Sequence, residues 1–281
     1  MKKTIISCVL FLTAVTAFSQ TPMKTAAEAK LSASDLAVKI ADRILATTTY
    51  EFKNTKTGKT YKSVKNLPLD MNVKVACKYN NWHYTNGVTH IALMELADKT
   101  GAKKYDDYVL KNMNFVFNEG NLDFFKKQYE QAMKNEGWYG VRKLSWHMIF
   151  RGKRLDDNGP MGASLIDLQI KHPNNSFLNY INETAEHLNY GEPRLADGTI
   201  ARIWPHENTI WADDAFMAIS FLARMAKMTG DMSYINDAAN QVIKYHKYLW
   251  CPEKRILYHC YHTDTDEHGV AHWSRANGWV F

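Results

Sequence analysis

Trp211-Ala-Asp-Asp-Ala-Phe-Met217 overlaps the end of the longer run Asp197-Gly-Thr-Ile-Ala-Arg-Ile-Trp-Pro-His-Glu-Asn-Thr-Ile-Trp-Ala-Asp-Asp214. Two adjacent carboxylates, Asp213 and Asp214, follow a tryptophan and open an apolar segment whose spacing predicts a helix from Trp211 to Met228. Asn208 or Thr209 is placed to cap that helix, and Pro205 limits its backward extension. A carboxyl against an indole is desolvated, which raises its pKa, while the positive helix N-terminus acts in the opposite direction. Two such acids side by side let one stay protonated while the other is charged. The plain alternative makes both of them ordinary first-turn acids, with Trp211 in the core.

The same kind of entrance recurs. Lys99-Thr-Gly-Ala-Lys-Lys-Tyr-Asp-Asp-Tyr108 and Met228-Thr-Gly-Asp-Met-Ser-Tyr-Ile-Asn-Asp237 are one turn into one kind of helix, and Lys171-His-Pro-Asn-Asn-Ser-Phe-Leu-Asn-Tyr180 is a looser copy. Before each lies an apolar helix entered through an aromatic or acidic motif. The spacing predicts helices from Asp35 to Thr48 (capped by Ser32 or Ser34), Trp82 to Ala97, Lys103 to Phe117, Asn121 to Asn135 and Leu155 to about His172. Further helices are expected from Asn175 to Tyr190, Trp211 to Met228 and Ser233 to Leu249, with a ninth beginning at Trp273. The polar segment from Glu51 to Lys65 reads as a loop, and strands have little support. Apolar helices with decorated entrances thus alternate with amphipathic ones. Paired in series, they form an inner and an outer layer, with the entrances around one mouth.

Composition narrows the function. Lys2, Lys3, the apolar run Ile5 to Ala17 and the Ala17-Phe-Ser-Gln20 segment read as a secretory signal over residues 1–19. That run is shorter than the ~20 residues of a membrane span, and Cys8 lies too deep in it for a lipoprotein attachment site. The remainder, 20–281, reads as one exported, secreted or periplasmic domain without a membrane span. Cys77, Cys251 and Cys260 remain, too few for a disulfide framework; one Cys251–Cys260 pair or three thiols are the options. No Cys/His spacing matches a structural zinc site, and no metal or cofactor is expected. The net charge is +6 and shows no dense basic stripe, which argues against nucleic acid. The 8 Trp and 15 Tyr suit stacking on sugar rings as well as core packing.

If the inner helices start at one mouth, Trp82, His83, Tyr84, Asp156, Asp157, His206, Trp211, Asp213, Asp214, Trp273, Arg275 and Trp279 meet there. Acids, an arginine and flat aromatics around one concavity point to an anionic sugar undergoing acid chemistry.

Ile210-Trp-Ala-Asp-Asp-Ala-Phe-Met217, with Phe221-Leu-Ala-Arg224 and Thr229-Gly-Asp231, resembles the core signature of the unsaturated rhamnogalacturonyl hydrolases, glycoside hydrolase family 105, relatives of the family 88 glucuronyl hydrolases. His272-Trp-Ser-Arg-Ala-Asn-Gly-Trp279 resembles that family's Trp-x-Arg-x-Asn-Gly-Trp motif, and Leu257-Tyr-His259 its histidine segment. Asn81-Trp-His-Tyr-Thr-Asn-Gly87 and Leu155-Asp-Asp-Asn-Gly-Pro-Met-Gly162 resemble two of its inner-helix entrances. The resemblance runs from Tyr79 to Phe281. It implies an all-α (α/α)6 barrel, a six-hairpin toroid whose pattern continues past the Asn-Gly-Trp motif, so the C-terminal hairpins are expected to be missing here.

The resemblance also implies the substrate, an anionic oligosaccharide left by pectin lyases with a 4,5-unsaturated uronic acid at its end. An acid protonates the double bond, water adds at C5, and the hemiketal opens. One group that gives and takes a proton suffices, unlike the paired acids of ordinary glycosidases. Motif position assigns that role to Asp213, with Asp214 its rival. Asp157, or its neighbour Asp156, is the second acid. Arg275 fits the substrate carboxylate; Trp82, Trp211 and Trp273 suit stacking, and His259 suits a hydroxyl or the carboxylate. A glucuronyl hydrolase, an ordinary glycosidase and a non-catalytic glycan-binding protein are the competing readings.

Overall fold

The computed structural model describes residues 32–152 and 154–280, and the signal segment expected over residues 1–19 lies outside them. The chain divides into two compact units, one up to Arg43 and one from Ile44 onward. The described part of the first unit is the beginning of helix α1 (Ala33–Thr47). There Ser32 Oγ accepts from the Asp35 amide at 3.1 Å and donates to the Asp35 carboxylate at 2.7 Å, a reciprocal N-terminal cap.

The second unit is built on helices α2 (Tyr84–Thr100), α3 (Lys104–Val116), α4 (Glu119–Val141), α5 (Leu155–Lys171), α6 (Asn175–Glu186), α7 (Asp213–Thr229), α8 (Met232–Leu249) and α9 (Ser274–Val280). Their ends follow the sequence. Both α2 and α7 stop at a glycine, Gly101 and Gly230, in the left-handed region with its N–H on the carbonyl of Ala97 or Ala226. Helices α6 and α8 begin at Asn174 and Asp231, whose side chains accept from the amides two residues on. These caps are the repeated turns, and they make α2–α3, α5–α6 and α7–α8 successive packed pairs.

Helix α5 packs against both α2 and α7, and glycines set how closely. A Cβ on Gly159 would lie 1.9 Å from the Met217 carbonyl oxygen of α7, and one on Gly87 of α2 would lie 2.4 Å from the Pro160 carbonyl carbon of α5. Only glycine tolerates such backbone contact. The beginnings of α2, α5 and α7, with their aromatic and acidic residues, are thereby drawn together. The fold class is the helical hairpin type expected.

Strands are more numerous than the sequence indicated, although no large sheet forms. The segment 51–65, expected as a loop, carries β1 (Phe52–Asn54) and β2 (Thr60–Tyr61), which pair antiparallel in the order β2-β1-β3 with β3 (Val73–Val75). Runs of two or three residues are too short to show alternation. β4 (Thr209–Trp211) pairs with β7 (Cys260–His262), which on its other edge pairs with β8 (Glu267–His268), while β5 (Trp250–Cys251) pairs with β6 (Ile256–Leu257). Trp211 is therefore in a strand, a correction to the helix expected from residue 211. Pairing with Cys260–His262 holds residues 209–211 extended. Ala212 is the N-cap, and it makes no side-chain capping bond; neither Asn208 nor Thr209 takes that role, and the Thr209 hydroxyl donates to the His206 carbonyl.

Cys77, Cys251 and Cys260 are free thiols, so the Cys251–Cys260 pair is not formed. Among the described residues no helix is long and apolar enough to cross a membrane.

Candidate active site

Successive residues on an α-helix project about 100° apart, so Asp213 and Asp214 face different surroundings. Asp213 turns into an open cavity. Its Oδ2 lies 3.0 Å from His259 Nε2, and its Oδ1 lies 3.9 Å from an Arg275 guanidinium nitrogen. Strand β4 brings His259 there, since the Ala212 amide donates to the His259 carbonyl at 2.9 Å. Asp214 is fully buried behind the cavity wall. Arg202 donates to both of its oxygens, from Nε at 2.8 Å and from a terminal nitrogen at 2.7 Å. Burial pushes the Asp214 carboxyl up to about 6, with the Arg202 guanidinium pulling the other way. Arg202 also reaches Asp156 at 3.0 and 3.2 Å and lies 4.2 Å from the centre of the Trp211 ring. It ties the first turns of α5 and α7 to the tryptophan before α7.

Asp156 and Asp157 repeat that divergence at the start of α5. Asp156 meets Arg202, whereas Asp157 is buried and paired with Arg151 Nε. Burial raises Asp157 to about 6, opposed by Arg151. The cavity lined by His83, Tyr84, Arg151, Asp157, Trp211, Asp213 and Arg275 encloses about 570 Å³, part of it open to solvent. Half-exposed Arg275 stacks 3.8 Å from the Trp273 ring and lies 6.0 Å from that of Tyr84. A carboxylate entering the cavity would find guanidinium donors and a carboxyl group together, an arrangement suited to holding an anion while a proton moves. Among the described residues no three His, Cys, Asp or Glu side chains are grouped as metal ligands.

Comparison with known proteins identifies the family. The model of Glycosyl Hydrolase Family 88 matches residues 56–281. The chain belongs to glycosyl hydrolase family 88. The unsaturated rhamnogalacturonyl hydrolase YesR of Bacillus subtilis (strain 168) is 26% identical over 188 residues, covering 60% of this chain and 52% of YesR. Two solved structures share the fold. A possible member of GH105 family from Klebsiella pneumoniae superposes with a TM-score of 0.57 at 14% identity, over 90% of this chain and 57% of that one. A glycoside hydrolase from family 105 of C. acetobutylicum gives 0.55 at 21% identity, over 77% and 53%. This family 88 chain thus spans about half the length of the relatives it matches.

Of the site residues expected in the family 88 chain, Asp213, Asp156, Asp157, Trp211, Tyr84 and Arg275 line one cavity, with His259 and Trp273 at its Asp213 side. Asp214 is a buried partner of Arg202 and does not line the cavity. Three further expectations are corrected. Trp82 is 0% exposed and cannot stack on a sugar; its indole N–H donates to the Asp157 carbonyl at 2.9 Å, so it holds the start of α5. Trp279 packs on Phe216 and Tyr84 and lines a separate apolar hollow. His206 sits in an exposed turn beside His262, away from the cavity lining.

The sequence reading missed Arg202 and Arg151. Arg202 lies nine residues before Trp211, and only the bridge between Arg202 and Thr209 folds it back onto the acids. Arg151 follows the short 3-10 turn His147–Phe150, which carries no apolar periodicity.

A second cleft of about 690 Å³ adjoins the first through Asp156 and Arg202, and its lining includes Arg154, His187, Glu192 and Trp204. Glu192 is nearly fully buried, with Oε2 at 2.9 Å from His187 Nε2. Burial, and then the charge of Asp214, pushes its carboxyl up to about 8.

Proposed function

We propose that this protein is a glycoside hydrolase that removes a terminal 4,5-unsaturated uronic acid from rhamnogalacturonan oligosaccharides made by pectin lyases. The observation that carries the reading is the grouping of Asp213, Arg275 and Asp157 in a single cavity, with His259 against Asp213. Arg275 binds the uronate carboxylate, with the Trp273 and Tyr84 rings beside it. Asp213 gives its proton to C4 of the double bond, and the positive charge that develops at C5 is shared with the ring oxygen. Water adds at C5 while its proton passes to a carboxylate. The hemiketal then opens and releases the rest of the oligosaccharide. Asp157 in its ionised form positions that water, with Arg151 holding the carboxylate in place. His259 orients Asp213 through their 3.0 Å contact. Membership of family 88 and the similarity to YesR support the substrate class.

The test is a panel of unsaturated disaccharides, followed by loss of the ultraviolet absorbance of the conjugated uronate. Fastest turnover is expected with rhamnose in the leaving position. Preference for an unsaturated glucuronyl disaccharide would move the protein to the sister activity, and cleavage of a saturated glycoside would overturn the hydration mechanism. We further propose export from the cytoplasm, directed by residues 1–19. Recovery of the expressed protein only from the cytoplasmic fraction would refute that.

A further inference from the structure

The second cleft has the features of a sugar site that the hydration step does not use. Its wall shares Asp156 and Arg202 with the cavity holding Asp213, so the two cavities are immediate neighbours. Trp204 stands at its edge with 58% of its surface exposed, leaving indole free to stack on a pyranose ring. The Arg154 guanidinium lies 4.8 Å from the centre of that ring.

The electrostatics admit an anion. Arg202 is already bonded to both Asp156 and Asp214. Among the described residues Arg154 has no acidic partner within ion-pair distance, so its forked donors are open. Glu192, with its carboxyl raised to about 8, is uncharged at neutral pH. The arginines and acids of the lining then balance, two against two, and a bound carboxylate meets no net repulsion from them.

We propose that this cleft is a second subsite that takes a further uronate on the leaving-group side of the substrate, Arg154 binding its carboxylate and Trp204 stacking on its ring. The proposal rests on the function proposed above. In rhamnogalacturonan fragments the uronic acid recurs at every second sugar, so a tetrasaccharide carries this group and a disaccharide does not. The protein is thereby tuned to fragments longer than a disaccharide.

The experiment is calorimetric titration of the Asp213→Asn chain, which holds substrate without consuming it, with the unsaturated disaccharide and tetrasaccharide. The tetrasaccharide is expected to bind about tenfold more tightly, the scale of one charge-assisted hydrogen bond. Arg154→Gln should abolish that gain and leave disaccharide affinity within about twofold. Reduction of the inner carboxyl to an alcohol should also abolish it, a test needing no second substitution. Equal affinity of the two saccharides, or a gain that survives carboxyl reduction, overturns the second subsite alone. If neither saccharide binds, the proposed function falls with it. An Arg154-dependent gain from a sulfate ester on the disaccharide would place the anion one ring nearer and overturn the second-uronate assignment.

Discussion

Arg202 is the group on which the geometry of the site depends, and Arg202→Met measures that dependence. The guanidinium makes four contacts of 2.7–3.2 Å to Asp214 and Asp156 and lies over Trp211. Asp156 is about a third exposed and becomes hydrated when the arginine is removed. Asp214 is 0% exposed and cannot. Leaving a buried charge without its partner costs about 3–5 kcal/mol, whereas replacing both partners with apolar groups of similar size is often close to neutral. Arg202→Met is therefore expected to lose about 3–5 kcal/mol, and Arg202→Met with Asp214→Leu to recover most of it. The sign of the pH dependence follows from Asp214. Its folded pKa already stands above the ~3.9 of an unfolded aspartate, and loss of the guanidinium raises it further. A group raised on folding contributes stability that is present below its unfolded pKa and lost as pH rises through its folded pKa. The deficit of Arg202→Met should accordingly be larger at pH 8 than at pH 5. Denaturant unfolding at both values is the assay. A single variant within about 0.5 kcal/mol of the parent at pH 8, the range of a surface substitution, would refute the reasoning. So would a deficit independent of pH.

Two further outcomes follow from the same packing. Gly159→Ala places a methyl 1.9 Å from the Met217 carbonyl oxygen, so α5 and α7 must separate; a loss of at least ~1–3 kcal/mol is expected in thermal or denaturant unfolding, and an unchanged midpoint would contradict the backbone contact. Because Asp157 acts in its ionised form and has a carboxyl raised to about 6, kcat/KM should fall as pH drops through that value. Arg151→Met, by removing the cation that opposes the shift, should move this acid limb upwards, and a limb that stays in place would dissociate Arg151 from the step.

The helices were legible because their signals are local. A Thr-Gly pair closes the helix at both Gly101 and Gly230, and the observed start of α5 at Leu155 and end of α8 at Leu249 match the periodicity. Met217 and Phe221, three and seven residues after Asp214, are apolar and buried, a helical spacing that puts Asp214 on the inward face. The burial of Asp214 follows that pattern, whereas its partner does not, because Arg202 reaches it through a turn whose pairing is written on neither side. Trp82, Trp211 and Trp279 are the same residue type at similar entrances, yet one lies in the core, one lines the cavity and one packs on a neighbouring helix. Residue type does not distinguish a platform from a wedge; only the local packing does. Short strands such as Thr209–Trp211 escape a period-two search for the same reason, since their pairing with Cys260–His262 is entirely non-local.

The central claim is that Asp213 carries the proton. Its most direct measurement is the rate at which Asp213→Asn consumes an unsaturated rhamnogalacturonan disaccharide, set beside the affinity of the same variant for that sugar. The account expects affinity to persist while the rate falls about 10²–10⁴-fold, the usual worth of one acid–base group. A near-normal rate in that variant would contradict it and transfer the proton to another acid.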